Sequence, residues 1–227
     1  MIDLELDDGV YVLRMRHGEN RLSLPFVEAL SEALDEVEKA TSPVALVTVG
    51  EGHLYSNGLD LAWMQAQEVS QRAKFGALLQ RTFARLVAFP AVTVAAQNGH
   101  AFAAGAVLAM VHDFRVMRSD RGFFCLPEVD LRIPLSPGVM GILQARLDAP
   151  VLHDALTTGR RYTAGEALEA RIVDAAVPEA EVLPQAVAMA RALHEKDPPT
   201  LAAIKRGLYE PVLQALEADA RSQEPRA

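Results

Sequence analysis

Apolar positions along this chain follow two alternating periods. Residues 2–6 alternate apolar and acidic side chains, the pattern of a half-exposed strand. Asp8-Gly9 reads as a hairpin turn and residues 10–15 as its return strand. Continuous apolar runs at 44–49 and 92–96 predict strands buried on both faces, and 114–117 and 122–125 predict two shorter ones. Pro25 opens a helix with Phe26, Leu30, Leu34 and Val37 on one face. Residues 70–89 predict a long helix striped by Phe75, Leu78, Leu79, Phe83 and Leu86. Beyond Pro137 the chain is mainly helical, and Pro198-Pro199 separates a helix over 180–196 from a last one over 200–221. The final few residues are expected to lack fixed structure. Strands alternating with helices argue for an α/β fold. Periodicity alone is compatible with a spiral or with a doubly wound sheet.

Composition narrows the class. The chain has 227 residues, 50% hydrophobic and 23% charged, which suits one globular domain with a sizeable core. No apolar run reaches the length of a membrane span, and the N-terminus lacks a basic-then-apolar leader pattern. The last residues are not a Ser-Lys-Leu address, and the single cysteine, Cys125, fits a reducing compartment as a buried core residue; a cytoplasmic location is expected. A formal charge of −8 disfavours nucleic acid as a partner. Binding a polyanion therefore needs local cations, for which Arg14, Arg16, Arg21, Lys205 and Arg206 are the candidates.

Candidate chemistry sits where strands turn into helices. Residues 98–106 (NGHAFAAGA) join the 92–96 strand to an apolar helix. Free N–H groups at a helix start, approached past small side chains, fit an anion site, and the same pattern fits a tightly packed strand–helix junction that binds nothing. Residues 50–61 form a second strand–turn–helix junction. Two such junctions are able to aim two N–H donors at one oxygen. Glu128 stands among Phe123, Phe124, Leu126, Pro127 and Val129, and reads either as a surface glutamate at a strand end or as a carboxyl against an apolar wall that would raise its pKa.

The segments Ser56-Asn57-Gly58-Leu59-Asp60-Leu61 and 98–105, with 113–117, 123–129 and 156–167, resemble the crotonase (enoyl-CoA hydratase/isomerase) superfamily in order over nearly the whole chain. Gly58-Leu59-Asp60-Leu61 and the lone Glu128 look most like the enoyl-CoA isomerases of that family, which shift a double bond. The resemblance implies a spiral of ββα units over 1–178 and a C-terminal helical region over 179–227, within one structural unit, that mediates a trimer or dimer of trimers. It implies an oxyanion hole from the backbone N–H groups of Leu59 and Ala104, and Glu128 as the acid–base residue. The CoA moiety would be held around His53 to Leu59, with Ser56, Asn57 and Gly58 as contacts and Lys205 near the phosphates. Neither metal nor cofactor is implied, CoA being part of the substrate. Where hydratases of the family carry a second glutamate this chain has Val107, which favours isomerisation in fatty-acid β-oxidation over hydration. The rivals are a hydratase or thioester hydrolase using Asp60 or Asp130, and an acyl-CoA-binding protein without turnover.

Other polar residues receive smaller roles. Asp60 is expected to cap the helix starting near Leu61. Asp130 is read either as raising the Glu128 pKa by like charge or as a surface or loop residue. His100 is assigned turn hydrogen bonding, and His112 packing or capping. His53 and Tyr55 are placed along the CoA channel, and Trp63 with Met64 either in the acyl wall or in the core. The histidines lack paired ligand spacing.

Overall fold

The computed structural model describes residues 1–224. β1 (Ile2–Asp7) and β2 (Val10–Met15) form a hairpin about Asp8 and Gly9, both at positive φ. α1 (Leu24–Glu38) follows, with a proline in its first turn. The chain then repeats one path three times. It lays a strand in a large sheet, turns, lays a short strand in a second sheet, and returns through helices. The first circuit is β3 (Ala45–Gly50), β4 (Leu54–Ser56), α2 (Leu61–Ala66) and α3 (Val69–Val87). The second is β5 (Val92–Gln97), β6 (His100–Phe102) and α4 (Ala104–Met110). The third is β7 (Phe114–Arg118), β8 (Phe124–Cys125), α5 (Glu128–Leu131), α6 (Pro137–Arg146) and α7 (Ala149–Thr158). β9 (Arg161–Tyr162), α8 (Ala164–Glu169), β10 (Ala175–Val177), α9 (Glu179–Arg191), α10 (Pro198–Leu208) and α11 (Glu210–Gln223) complete the chain.

The large sheet has the order β1-β2-β3-β5-β7-β10, parallel from β2 onward; the small one is β4-β6-β8-β9, with only β9 antiparallel. The stacking of β3-β5-β7 over β4-β6-β8 makes the circuits a spiral. β3 and β5 are buried along nearly their whole length because both faces of the large sheet are covered. Leu46, Ala95 and Met117 face inward to a core shared with α1, α3 and α4, while Val47, Val94 and Val116 face Val182, Ala186 and Ala190 of α9. The first helix of the expected C-terminal region is thus the outer cover of the sheet. α11 packs on α3 and α6.

The last helix expected over 200–221 is instead two, α10 and α11, broken at Tyr209. Pro211 has no N–H to continue a helix but fits the first turn of a new one. Among the described residues no helix is long and apolar enough to cross a membrane. The expectation for the chain's tail concerns residues 225–227, outside the described residues.

Candidate active site

The turns after β4 and β6 are pressed together. Leu22 and Leu59 form an isolated parallel bridge in which Leu22 N–H donates to Gly58 O (2.8 Å) and Asp60 N–H donates to Leu22 O (2.9 Å). Both bonds use one side of the segment, so the N–H of Leu59 turns to the other, where it has no partner among the described residues. Ala104 is the first residue of α4, and its N–H also has no partner among the described residues. Gly58, at φ +80°, fixes how close the turns come: a Cβ there would lie 2.9 Å from Phe102 O and 3.3 Å from Ala104 N. A Cβ on Gly105 would likewise collide with Ser56. Two unpaired backbone donors therefore share one locality.

That locality opens on a cleft of about 530 Å³ lined by Leu59, Ala104, Val107 and Glu128, with Leu79, Phe83, Ile133 and Val139 among its apolar walls. Glu128 begins α5 and is only 9% exposed, and its buried Oε2 has no hydrogen-bond partner among the described residues. Burial pushes its carboxyl above the ordinary value, partly offset by a bond from its own backbone amide. Asp130 lines the same cleft, but it is not what raises Glu128. Cys125 also lines it. Its thiol donates to Gly159 O at 3.3 Å and is pushed by burial to about 11, which leaves it protonated and inert.

The remaining predicted site residues scatter. Asn57 lines the cleft and its amide donates to Glu19 (2.9 Å). Ser56 is fully buried, its hydroxyl spent on Asn20 O (2.7 Å), so its side chain is not a CoA contact. Lys205 is the clearest correction. It is 4% exposed, donating to Asp113 (2.6 Å) and Ala91 O (2.8 Å), and its ammonium joins α10 to the sheet instead of facing a phosphate. Arg14 pairs with Glu5, and Arg16 with Asp3 and Glu51, along β2. Arg206 lies by a surface dent with Glu38 and Arg85. Arg21 does line the cleft, paired with Glu19.

Asp60 caps α2, its Oδ1 accepting from Trp63 N–H (2.9 Å). His112 is a capping residue, Nδ1 donating to Leu108 O (2.8 Å). His100 stacks beside Phe102 and Phe123, with ring centroids 5.0 and 5.5 Å away, while its backbone N–H donates to His53 O. Tyr55 is wholly buried in the core, not along a channel, and His53 is exposed away from the cleft lining. Trp63 packs edge-on against Phe75 at 5.4 Å and, with Met64, against the core. Sequence reasoning passed over Arg161, at the cleft rim above the Phe102 ring, and Gln80 in its wall. Both stand in segments whose apolar or motif pattern drew attention to their neighbours instead.

The sequence matches the family profile described as enoyl-CoA hydratase/isomerase over residues 5–225. The chain belongs to that family. Enoyl-CoA delta isomerase 1, peroxisomal, of Arabidopsis thaliana is 32% identical over 78% of this chain and 75% of its own length. A probable enoyl-CoA hydratase of Bacillus subtilis is also 32% identical, over 92% and 81%. Among solved structures, human mitochondrial delta3-delta2-enoyl-CoA isomerase superposes with a TM-score of 0.91 at 25% identity, covering 98% of this chain and 90% of that one. The spiral is the crotonase fold, and the enoyl-CoA hydratase/isomerase family acts on acyl-CoA thioesters. Identity near 30% to isomerase and hydratase alike assigns the family enzyme without dividing the two reactions.

Proposed function

We propose that this enzyme is a Δ3–Δ2 enoyl-CoA isomerase. A 3-enoyl thioester has an acidified proton at carbon 2. Glu128 removes it, leaving a dienolate with its charge on the thioester oxygen, and returns a proton to carbon 4, so the double bond moves into conjugation. The backbone N–H groups of Leu59 and Ala104 receive the developing oxyanion; one such donor is worth about 2.7–4 kcal/mol of transition-state stabilisation. The shuttle needs a carboxylate whose pKa lies nearer the working pH, and burial moves Glu128 in that direction.

The observation that carries this reading is the unpartnered carboxyl of Glu128 in a cleft whose α4 wall is apolar. Its Oε2 has no partner among the described residues, and the wall position on α4, Val107, is apolar and 1% exposed. Valine neither orients nor deprotonates water, whereas a proton transfer between two carbons of one substrate needs a single carboxylate. The hydratase reading rests on Asp130, the other acid lining the cleft. Relatives that carry delta isomerase in their names add weight to the first reading. The reading extends to a role in oxidation of unsaturated acyl chains and to a trimer.

The test offers purified protein 3-enoyl-CoA and 2-enoyl-CoA separately. Ultraviolet absorbance of the conjugated thioester should grow from the first, with no loss of it from the second. Water addition to the 2-enoyl thioester as the faster reaction would overturn the assignment in favour of Asp130 chemistry.

A further inference from the structure

A chain of three side chains, none of which lines the cleft, runs beneath the two turns. Tyr55 Oη lies 2.8 Å from Thr48 Oγ1, Thr48 Oγ1 lies 3.0 Å from His112 Nε2, and His112 Nδ1 lies 2.8 Å from Leu108 O. All three side chains are buried. The direction of every bond is fixed. Leu108 O only accepts, so His112 Nδ1 carries the hydrogen. Burial pushes the His112 pKa down to about 4, so the ring is neutral and its Nε2 accepts. Thr48 therefore donates to His112 and accepts from Tyr55.

Its endpoints give the chain its meaning. Tyr55 belongs to β4, four residues before Leu59, and its own carbonyl is held by Asn20 Nδ2 at 3.2 Å. Leu108 O is one of the last carbonyls of α4, whose N-cap residue makes no side-chain capping bond among the described residues. α4 has only 7 residues, so a group fixing its end also fixes its start at Ala104. Thr48, on β3, is the link between the turn that carries Leu59 and the helix that carries Ala104. Apolar side chains would fill this space without the cost of burying three polar groups.

We infer that Tyr55, Thr48 and His112 are positioning residues that set the spacing of the Leu59 and Ala104 N–H groups. This rests on the reading of those two donors as an oxyanion hole. Thr48→Val keeps the shape and removes both of its bonds. Its kcat is expected to fall about 10- to 100-fold, the scale on which a ~1 Å misplacement acts, with KM little changed. Thr48→Ser should restore most of the loss.

Infrared difference spectra of the bound 2-enoyl-CoA product, labelled at the thioester carbonyl, supply a readout independent of turnover. The hole should lower the stretching frequency in the wild type, and less so in Thr48→Val. Should Thr48→Val fail to fold, Tyr55→Phe removes only the outer hydroxyl and is expected to show the same changes in smaller measure. Folded variants with wild-type kcat and wild-type carbonyl frequency would overturn the inference. A wild type that lowers the carbonyl frequency but turns over no 3-enoyl-CoA would defeat the isomerase reading, and the Thr48→Val frequency would still decide this one.

Discussion

Burial disfavours the ionised form of Glu128, so the folded chain keeps this proton at pH values where the unfolded chain has released it. Between the ordinary value of 4.5 and the raised one, the folded state binds more protons than the unfolded state. Stability therefore falls as pH rises through that window and stays lower above it. Glu128→Gln abolishes the ionisation. Its melting midpoint should exceed the wild type's at pH 7, and the gap should close below pH 4.5, where both side chains are neutral. A variant that melts no higher at pH 7 would mean the carboxylate is solvated or paired. The same substitution should lower kcat by about 10²–10⁴, the usual worth of a general acid–base group. In the wild type, the acid limb of kcat/KM against pH should sit above 4.5, because the proposed mechanism needs the ionised form. On the proposed mechanism one residue trades stability for reactivity, and thermal melts with rate profiles measure both sides.

At the scale of the element, the residue that precedes α4 is strained. Ala103 has φ 49° and ψ −127°, a region that glycine enters freely and alanine does not. Such strain costs about 1–3 kcal/mol, against roughly 0.4–1 kcal/mol of extra unfolded-chain entropy for glycine. Ala103→Gly should therefore raise the melting midpoint by about 2–4 °C per net kcal/mol gained in a domain of this size. A lower midpoint would show that the turn tolerates its alanine.

α10 offers a test of the buried Lys205. Losing one partner of a buried ion pair typically costs about 3–5 kcal/mol. Lys205→Met should destabilise the fold, since Asp113 would be left uncompensated, while the folded fraction keeps its KM for acyl-CoA. A raised KM with unchanged stability would return Lys205 to the substrate. The chain's pattern disclosed α4, both turns and Glu128, because apolar runs broken by small residues are local signals. It hid the fate of Lys205, whose partners Ala91 and Asp113 lie 114 and 92 residues away. It also hid the second sheet's pairing, since β8 and β9 are two residues each and carry no period of their own.

For the molecule as a whole, the open matter is how a chain of charge −8 attracts a polyanionic thioester. Charges spread over the surface act across distances beyond the Debye length of ~8 Å at physiological salt. A cation at the cleft rim acts at contact distance, where a pair at 4 Å interacts by up to ~4 kcal/mol at an effective dielectric of 20, before desolvation is subtracted. The nearby charge wins. Of the two arginines lining the cleft, Arg21 is already held by Glu19. Arg161 is exposed, and among the described residues it makes no ion pair within 4.0 Å. Raising ionic strength from about 0.01 M to 0.15 M shortens the Debye length from ~30 Å to ~8 Å. KM for an acyl-CoA substrate should therefore rise with salt. Arg161→Ala should raise KM about tenfold at low salt with kcat unchanged, the mark of binding energy shared equally by ground and transition states. The variant should also flatten the salt dependence. A KM that falls as salt is added would mean that repulsion from the acidic surface dominates, and that Arg161 meets no phosphate.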